Sequence, residues 1–240
     1  MNTFLECVPC FIKQTLAASR QATTDPAVHE QIMRTVLQEA SALPFSQTPV
    51  HMGETIHRTI RRLSGNPDPY RDLKEHFNQA ALDLLPDLEQ RIAASSDRFA
   101  TAVRLAIAGN IIDFGVGTTK EDIQLHATVE DTLTRDLAID HLERLRGACQ
   151  DGKRILYLAD NAGEIVLDRL LVAELPADRV CLAVKGAPVI NDATIEDARV
   201  AGLTDMVEVI ENGTAAPGTI LDGCSDAFRK RFDRADVVIA

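Results

Sequence analysis

Apolar residues recur every three to four positions through the first 150 residues, and then the rhythm changes. Pro9 opens a first predicted helix, with Phe11, Ile12, Leu16 and Ala17 on one side. Asp25-Pro26 is a cap followed by proline at the first helical position, and Val28, Ile32, Val36 and Leu37 continue the pattern. Thr48-Pro49 repeats that signal, and Gly65 closes the helix after Leu63. Asp68-Pro69 starts another, carrying Leu73, Phe77, Ala80, Ala81 and Leu84, which Pro86 should kink or restart. Asp97 is placed to cap a helix with Val103, Leu105, Ile107 and Ala108.

From Arg154 the chain reads as short apolar runs separated by helical stretches. Predicted strands cover 154–159, 179–184, 206–210 and 235–240, with helices over 163–175, 194–201 and 223–232 between them. Such alternation predicts a parallel sheet with helical crossovers. The fold class is therefore α/β: a helical N-terminal domain, 1–150, and a Rossmann-like parallel sheet flanked by helices, 151–240, hinged near 146–152. The last residues fall inside a strand, whereas functional loops follow strand ends, so a truncated C-terminus is expected.

Charge narrows the function. The 240 residues carry 36 acidic and 25 basic side chains, net -11, with no basic stripe to bind nucleic acid. Arg229, Lys230, Arg231 and Arg234 suit the last turn of a helix instead. No segment is long and apolar enough to cross a membrane, and the first residues do not resemble a signal peptide. Five cysteines, only Cys7 and Cys10 of them close, fit a reducing compartment, so a cytoplasmic location is expected.

Four motifs could carry chemistry. Asp160-Asn161-Ala162-Gly163-Glu164 directly follows the first strand, where a helix N-terminus offers unpaired N–H groups. It could cradle a metal or anion, or Asp160 or Asn161 could simply cap the helix. Lys185-Gly186-Ala187-Pro188, followed by Asn191-Asp192-Ala193-Thr194, succeeds the second strand. Lys185 can pair with phosphate there, and Asn191 or Asp192 could be a cap. Oxygen donors from Asp160, Asn161 and Asp192 would suit a hard divalent cation rather than zinc. Asn110 and Asp113, three apart, would share a helical face, and Gly109 in that apolar helix suggests a close approach. Cys7 and Cys10 lack a second ligand pair, which argues against a preformed zinc site.

In this order the motifs resemble the family of domain of unknown function 89, the metal-dependent damage-control phosphatases, in its CxxC-bearing microbial branch. The resemblance spans nearly the whole chain. It implies a divalent metal (magnesium, manganese, cobalt or nickel) on Asp160, Asn161 and Asp192, and hydrolysis of a small phosphorylated metabolite. Asp160, Asp192 and Lys185 are the expected catalytic groups; Asn110, Asp113 and Glu164 fall in motifs that line the family's cleft and are expected on the substrate side. A haloacid-dehalogenase-like mechanism needs a second aspartate where Ala162 stands, so attack by a metal-activated water is expected. Rival readings are a carboxyl methyltransferase using S-adenosylmethionine and a non-catalytic metal- or phosphate-binding protein.

Overall fold

The computed structural model describes residues 2–111 and 121–240. Helices α1 (Cys7–Ala22), α2 (Pro26–Ala42), α3 (Pro49–Ser64), α4 (Arg71–Ala94), α5 (Arg98–Ile111), α6 (Glu121–Thr134) and α7 (Leu142–Asp151) precede the sheet. Then β1 (Ile155–Leu158), α8 (Glu164–Val172), β2 (Val180–Val184), α9 (Ile195–Val200), β3 (Glu208–Glu211), α10 (Asp226–Arg234) and β4 (Val237–Ile239) alternate. Among the described residues no helix is long and apolar enough to cross a membrane.

Side-chain caps start several of the helices. The Asp25 carboxylate accepts the Ala27 N–H at 2.8 Å and starts α2. Asp97 accepts from Ala100 at 3.0 Å and starts α5. Thr48 makes no cap bond to α3, α4 starts at Arg71 rather than at Pro69, and two larger details differ from the sequence pattern. First, α1 begins at Cys7, two residues before Pro9, so the proline sits within the first turn, where its missing N–H costs nothing. Second, α4 runs straight through Pro86 for 24 residues. Its flanks Leu84, Leu85 and Leu88 are buried, and that packing holds the helix together across the lost hydrogen bond.

The four strands are parallel in the order β3-β2-β1-β4. Register pairs Ile155 with Val180 and Val237. Alternate residues of the central strands face opposite layers. Ile155, Tyr157, Leu182 and Val184 join α4, α5 and α8 in the largest core, whereas Leu156, Cys181 and Ala183 pack on Phe228 of α10. The edge strands β3 and β4 are half-exposed. Helices α1–α3 form a separate core around Phe11, Ile32, Val36, Met52, Ile56 and Ile60. The chain reverses direction across the sheet between β1 and β4, and this arrangement leaves a crevice beyond their C-terminal ends.

Candidate active site

The loop after β1 and the segment before α9 are joined as an extension of the sheet. Asn161 and Asp192 form an antiparallel bridge, and Lys185 and Thr194 a parallel one. The Ala162 N–H donates to the Asn191 carbonyl at 2.8 Å, and the Ala193 N–H to the Asp160 carbonyl at 2.7 Å. Asp160 and Asn161 are thus brought beside Asp192, 31 residues further along the chain than Asn161, by main-chain pairing. Gly163, at φ 82, turns the chain from this loop into α8.

Neither loop uses these side chains as caps. The N-cap of α8 is Gly163, and its N–H donates to Asn78 Oδ1 from α4 at 2.7 Å. Thr194 and Asp197 make a reciprocal capping box at the start of α9. The capping reading of Asp160, Asn161 and Asp192 is therefore replaced.

Asp192 is buried. Lys185 Nζ stands 3.2 Å from its Oδ2, an ion pair without the direction of a hydrogen bond, so this oxygen is buried and has no hydrogen-bond partner. Burial pushes the Asp192 carboxyl up to about 6; Lys185 opposes the shift and Asp160 adds to it. A buried oxygen of that kind, beside a second carboxylate, is a place where a cation removes an electrostatic penalty. Lys185, at the strand end as expected, is buried, and its Nζ also donates to the Gly218 carbonyl at 2.6 Å.

A polar chain leads away from Asp160. The Asn161 amide donates to Asp160 Oδ2 and to Glu164 Oε2, both at 2.9 Å. Asn110 Nδ2, from α5, donates to Glu164 Oε1 at 3.1 Å. Burial raises the Glu164 carboxyl, and the two amides oppose the shift. Asp113 lies outside the described residues. The α5 helix comes this close because residue 109 has no side chain: a Cβ there would stand 3.1 Å from Leu167 Cβ.

A cavity of about 600 Å³ opens at this sheet end, lined by Asn110, Tyr157, Asp160, Glu164, Asp168 and Lys185. An apolar wall from α5, with Val103, Ala106 and Ile107, closes one side. The sequence pattern does not single out Tyr157 or Asp168. The Tyr157 hydroxyl donates to Asp168 Oδ1 at 2.6 Å, and burial raises the Asp168 carboxyl well above the ordinary range. An aspartate three and four positions from Ile165, Leu171 and Val172 on one face of α8 is the signal that could have found it. Cys7 and Cys10 are free thiols at the start of α1. Among the described residues no three or more His, Cys, Asp or Glu side chains gather closely enough to hold an ion by themselves. A cation here would rest on two carboxylates, the Asn161 amide oxygen and water.

Comparison with known proteins adds a second line of observation. The model of the damage-control phosphatase ARMT1-like domain matches residues 3–240. An uncharacterized protein of Methanocaldococcus jannaschii is 37% identical over 242 residues, covering 98% of this chain and 79% of its own. A damage-control phosphatase of Archaeoglobus fulgidus is 33% identical, covering 98% of this chain and 82% of its own. The crystal structure of a domain-of-unknown-function-89 family protein from Pyrococcus horikoshii superposes with a TM-score of 0.89 at 32% identity, over 100% of this chain and 84% of that one.

Proposed function

Since the chain belongs to the damage-control phosphatase family with an ARMT1-like domain, it is a phosphatase, and we propose that it hydrolyses small phosphate monoesters with a divalent cation on Asp160, Asn161 and Asp192. Sugar phosphates or damaged phosphometabolites are the substrate class. The observation that carries this reading is Asp192 Oδ2, buried next to the Asp160 loop and faced only by the Lys185 ammonium at 3.2 Å. The donors are hard oxygens, and none is occupied in capping a helix. They fit magnesium, manganese, cobalt or nickel.

Phosphoryl transfer depends mainly on positioning and charge neutralisation. The bound cation would supply both Lewis acidity toward a phosphate oxygen and a water of lowered pKa. The residues of the chain do the rest. Lys185 holds its ammonium at the cavity wall and counters the burial of Asp192, which keeps that carboxylate available as a ligand. The same ammonium complements the equatorial phosphate oxygens. Asn110, Glu164 and the Tyr157–Asp168 pair present hydrogen-bonding groups to the part of the substrate beyond the phosphate. Val103, Ala106 and Ile107 exclude water from that side. Ala162, fully buried, stands two residues after Asp160, so no second aspartate is available to protonate a leaving group from that position. Water is the nucleophile.

Phosphate release from a panel of sugar phosphates and other phosphomonoesters, with and without added divalent metal, tests the proposal. Release that requires the metal and stops with chelator is the expected result. No release from any ester in the presence of manganese, or transfer of methyl groups from S-adenosylmethionine to carboxylates instead, overturns it.

A further inference from the structure

Two buried polar side chains take no part in the chemistry above. Asn78 on α4 and Asp197 on α9 are 2% and 5% exposed. Asn78 uses both ends of its amide. Its Oδ1 accepts the Gly163 N–H at 2.7 Å, and its Nδ2 donates to Asp197 Oδ1 at 2.8 Å. The other oxygen, Asp197 Oδ2, accepts the Thr194 N–H at 2.8 Å and the Thr194 hydroxyl at 2.7 Å. Gly163 stands two residues after Asn161, and Thr194 two residues after Asp192. One unbroken series of hydrogen bonds therefore runs from behind one ligand-bearing loop to behind the other.

The series is anchored from the helical half of the chain. Lys74 lies one turn before Asn78 on the same face of α4. Its ammonium is 3.4 Å from Asp197 Oδ2 and 3.1 Å from Asp68 Oδ2, and all three groups are largely buried. The buried Asp197 charge is thus matched by a cation as well as by donors. The helix start at α8 is unusual in the same way. Its N-cap is a glycine with no side chain to offer; the Ile165 and Val166 N–H groups are taken by the Asn161 and Gly163 carbonyls, and the Gly163 N–H itself is held from a different helix by Asn78.

We infer that Asn78 and Asp197 are a positioning pair that fixes loop 160–162 against loop 191–193, and so sets the affinity of the site for its cation. The inference rests on the metal site proposed above. Shifting either loop by a fraction of a bond length would leave a buried donor or acceptor unpaired, which is costly, so the pair resists such shifts. Neither residue touches metal or substrate; both act through the loops. Groups that hydrogen-bond a metal's own ligands change its affinity by about 10- to 100-fold when removed, and a pair that acts one step further out should reach about 10-fold.

The test is Mn²⁺ affinity measured by electron paramagnetic resonance on the purified full chain, with melting temperature recorded for each variant. Asn78→Ala should weaken Mn²⁺ binding by about 10-fold. Thr194→Val is nearly isosteric and removes only the hydroxyl bond to Asp197; it should weaken binding by a smaller factor in the same direction. Ile32→Ala, in the α1–α3 core, should lower the melting temperature and leave Mn²⁺ affinity within about twofold, which separates positioning from general loss of stability. The activity of Asn78→Ala at saturating Mn²⁺ should recover most of the wild-type kcat. If Asn78→Ala keeps wild-type Mn²⁺ affinity while Asp192→Ala loses it, the pair is only structural and the inference is overturned with the metal site intact. If Asp192→Ala also binds Mn²⁺ normally, the site assignment fails and the inference falls with it. Should Asn78→Ala not fold, unchanged affinity in Thr194→Val overturns the inference.

Discussion

Helices α1–α3 and helices α4–α5 carry the same apolar periodicity, yet they belong to different parts of the molecule. The first three bury their own core, with Ile32, Val36, Ile56 and Ile60 fully enclosed among themselves. Helices α4 and α5 instead share the core of the sheet and pack on α8. Buried polarity divides in the same way. Around the α4–α8–α9 contact lie Lys74, Asn78, Glu164, Asp168, Asp192 and Asp197, nearly all hydrogen-bonded. In α1–α3 the buried polar side chains, Thr15, Ser19, His57 and Thr59, are uncharged, and the His57 Nε2 is buried without a hydrogen-bond partner. The comparison separates a region whose interior is built for packing from one whose interior is built to hold charged groups in fixed places. Only the second contains the candidate site. Buried charge is expensive, and it is tolerated where a ligand or a reaction uses it.

This contrast can be broken in four places. The largest effect belongs to Asp192→Ala: kcat/KM should fall by about a thousandfold, equivalent to about 4 kcal/mol, while circular dichroism stays native. Next, Ile32→Ala should cost about 2–5 kcal/mol in urea unfolding, with the specific activity of the folded enzyme at 25 °C unchanged. The third concerns pH. Burial, helped by Arg61, lowers His57 from 6.5 to about 4, so the native protein holds it neutral while the unfolded chain takes up a proton below 6.5. Stability should therefore fall as pH drops from 6.5 towards 4, by about 3 kcal/mol from this residue, and His57→Leu should flatten that part of the profile. The smallest is Gly109→Ala at the α5–α8 contact. Helix propensity gains up to about 1 kcal/mol, while Leu167, 3.1 Å from the new Cβ, must give way, so the net change should stay within about 1 kcal/mol by thermal melting.

The alternation of strands and helices after residue 154 is legible because each element is short and bounded by turn residues, and β1 and β2 are apolar on both faces. Asp160 and Asn161 are legible for a related reason, as polar residues directly after a parallel strand; Asp192, eight residues past Val184, joins them because its loop returns to pair with Asn161. Two kinds of information are not in the local pattern. One is which layer a helix joins, since the 3.6-residue repeat of α4 is the same whether it packs on α2 or on α8. Asn78 and Asp197 acquire their roles only through that choice, being 119 residues apart in the chain. The other is burial of a charge: Lys185 is recognisable as a strand-end lysine, but its enclosure against Asp192 and Gly218 depends on loop 213–218 folding over it. The proline rule fails at Pro86 for the same reason, because core contacts on either side outweigh one lost bond.

The proposed site places the catalytic cation between two loops of the sheet and not at the cysteines of α1. A crystal of the full chain soaked in Mn²⁺ and measured at the manganese absorption edge tests it most directly. One strong anomalous peak within about 2.0–2.4 Å of oxygen atoms of Asp160, Asn161 and Asp192 is the predicted result. A peak at Cys7 and Cys10 with none between the two loops would contradict the account.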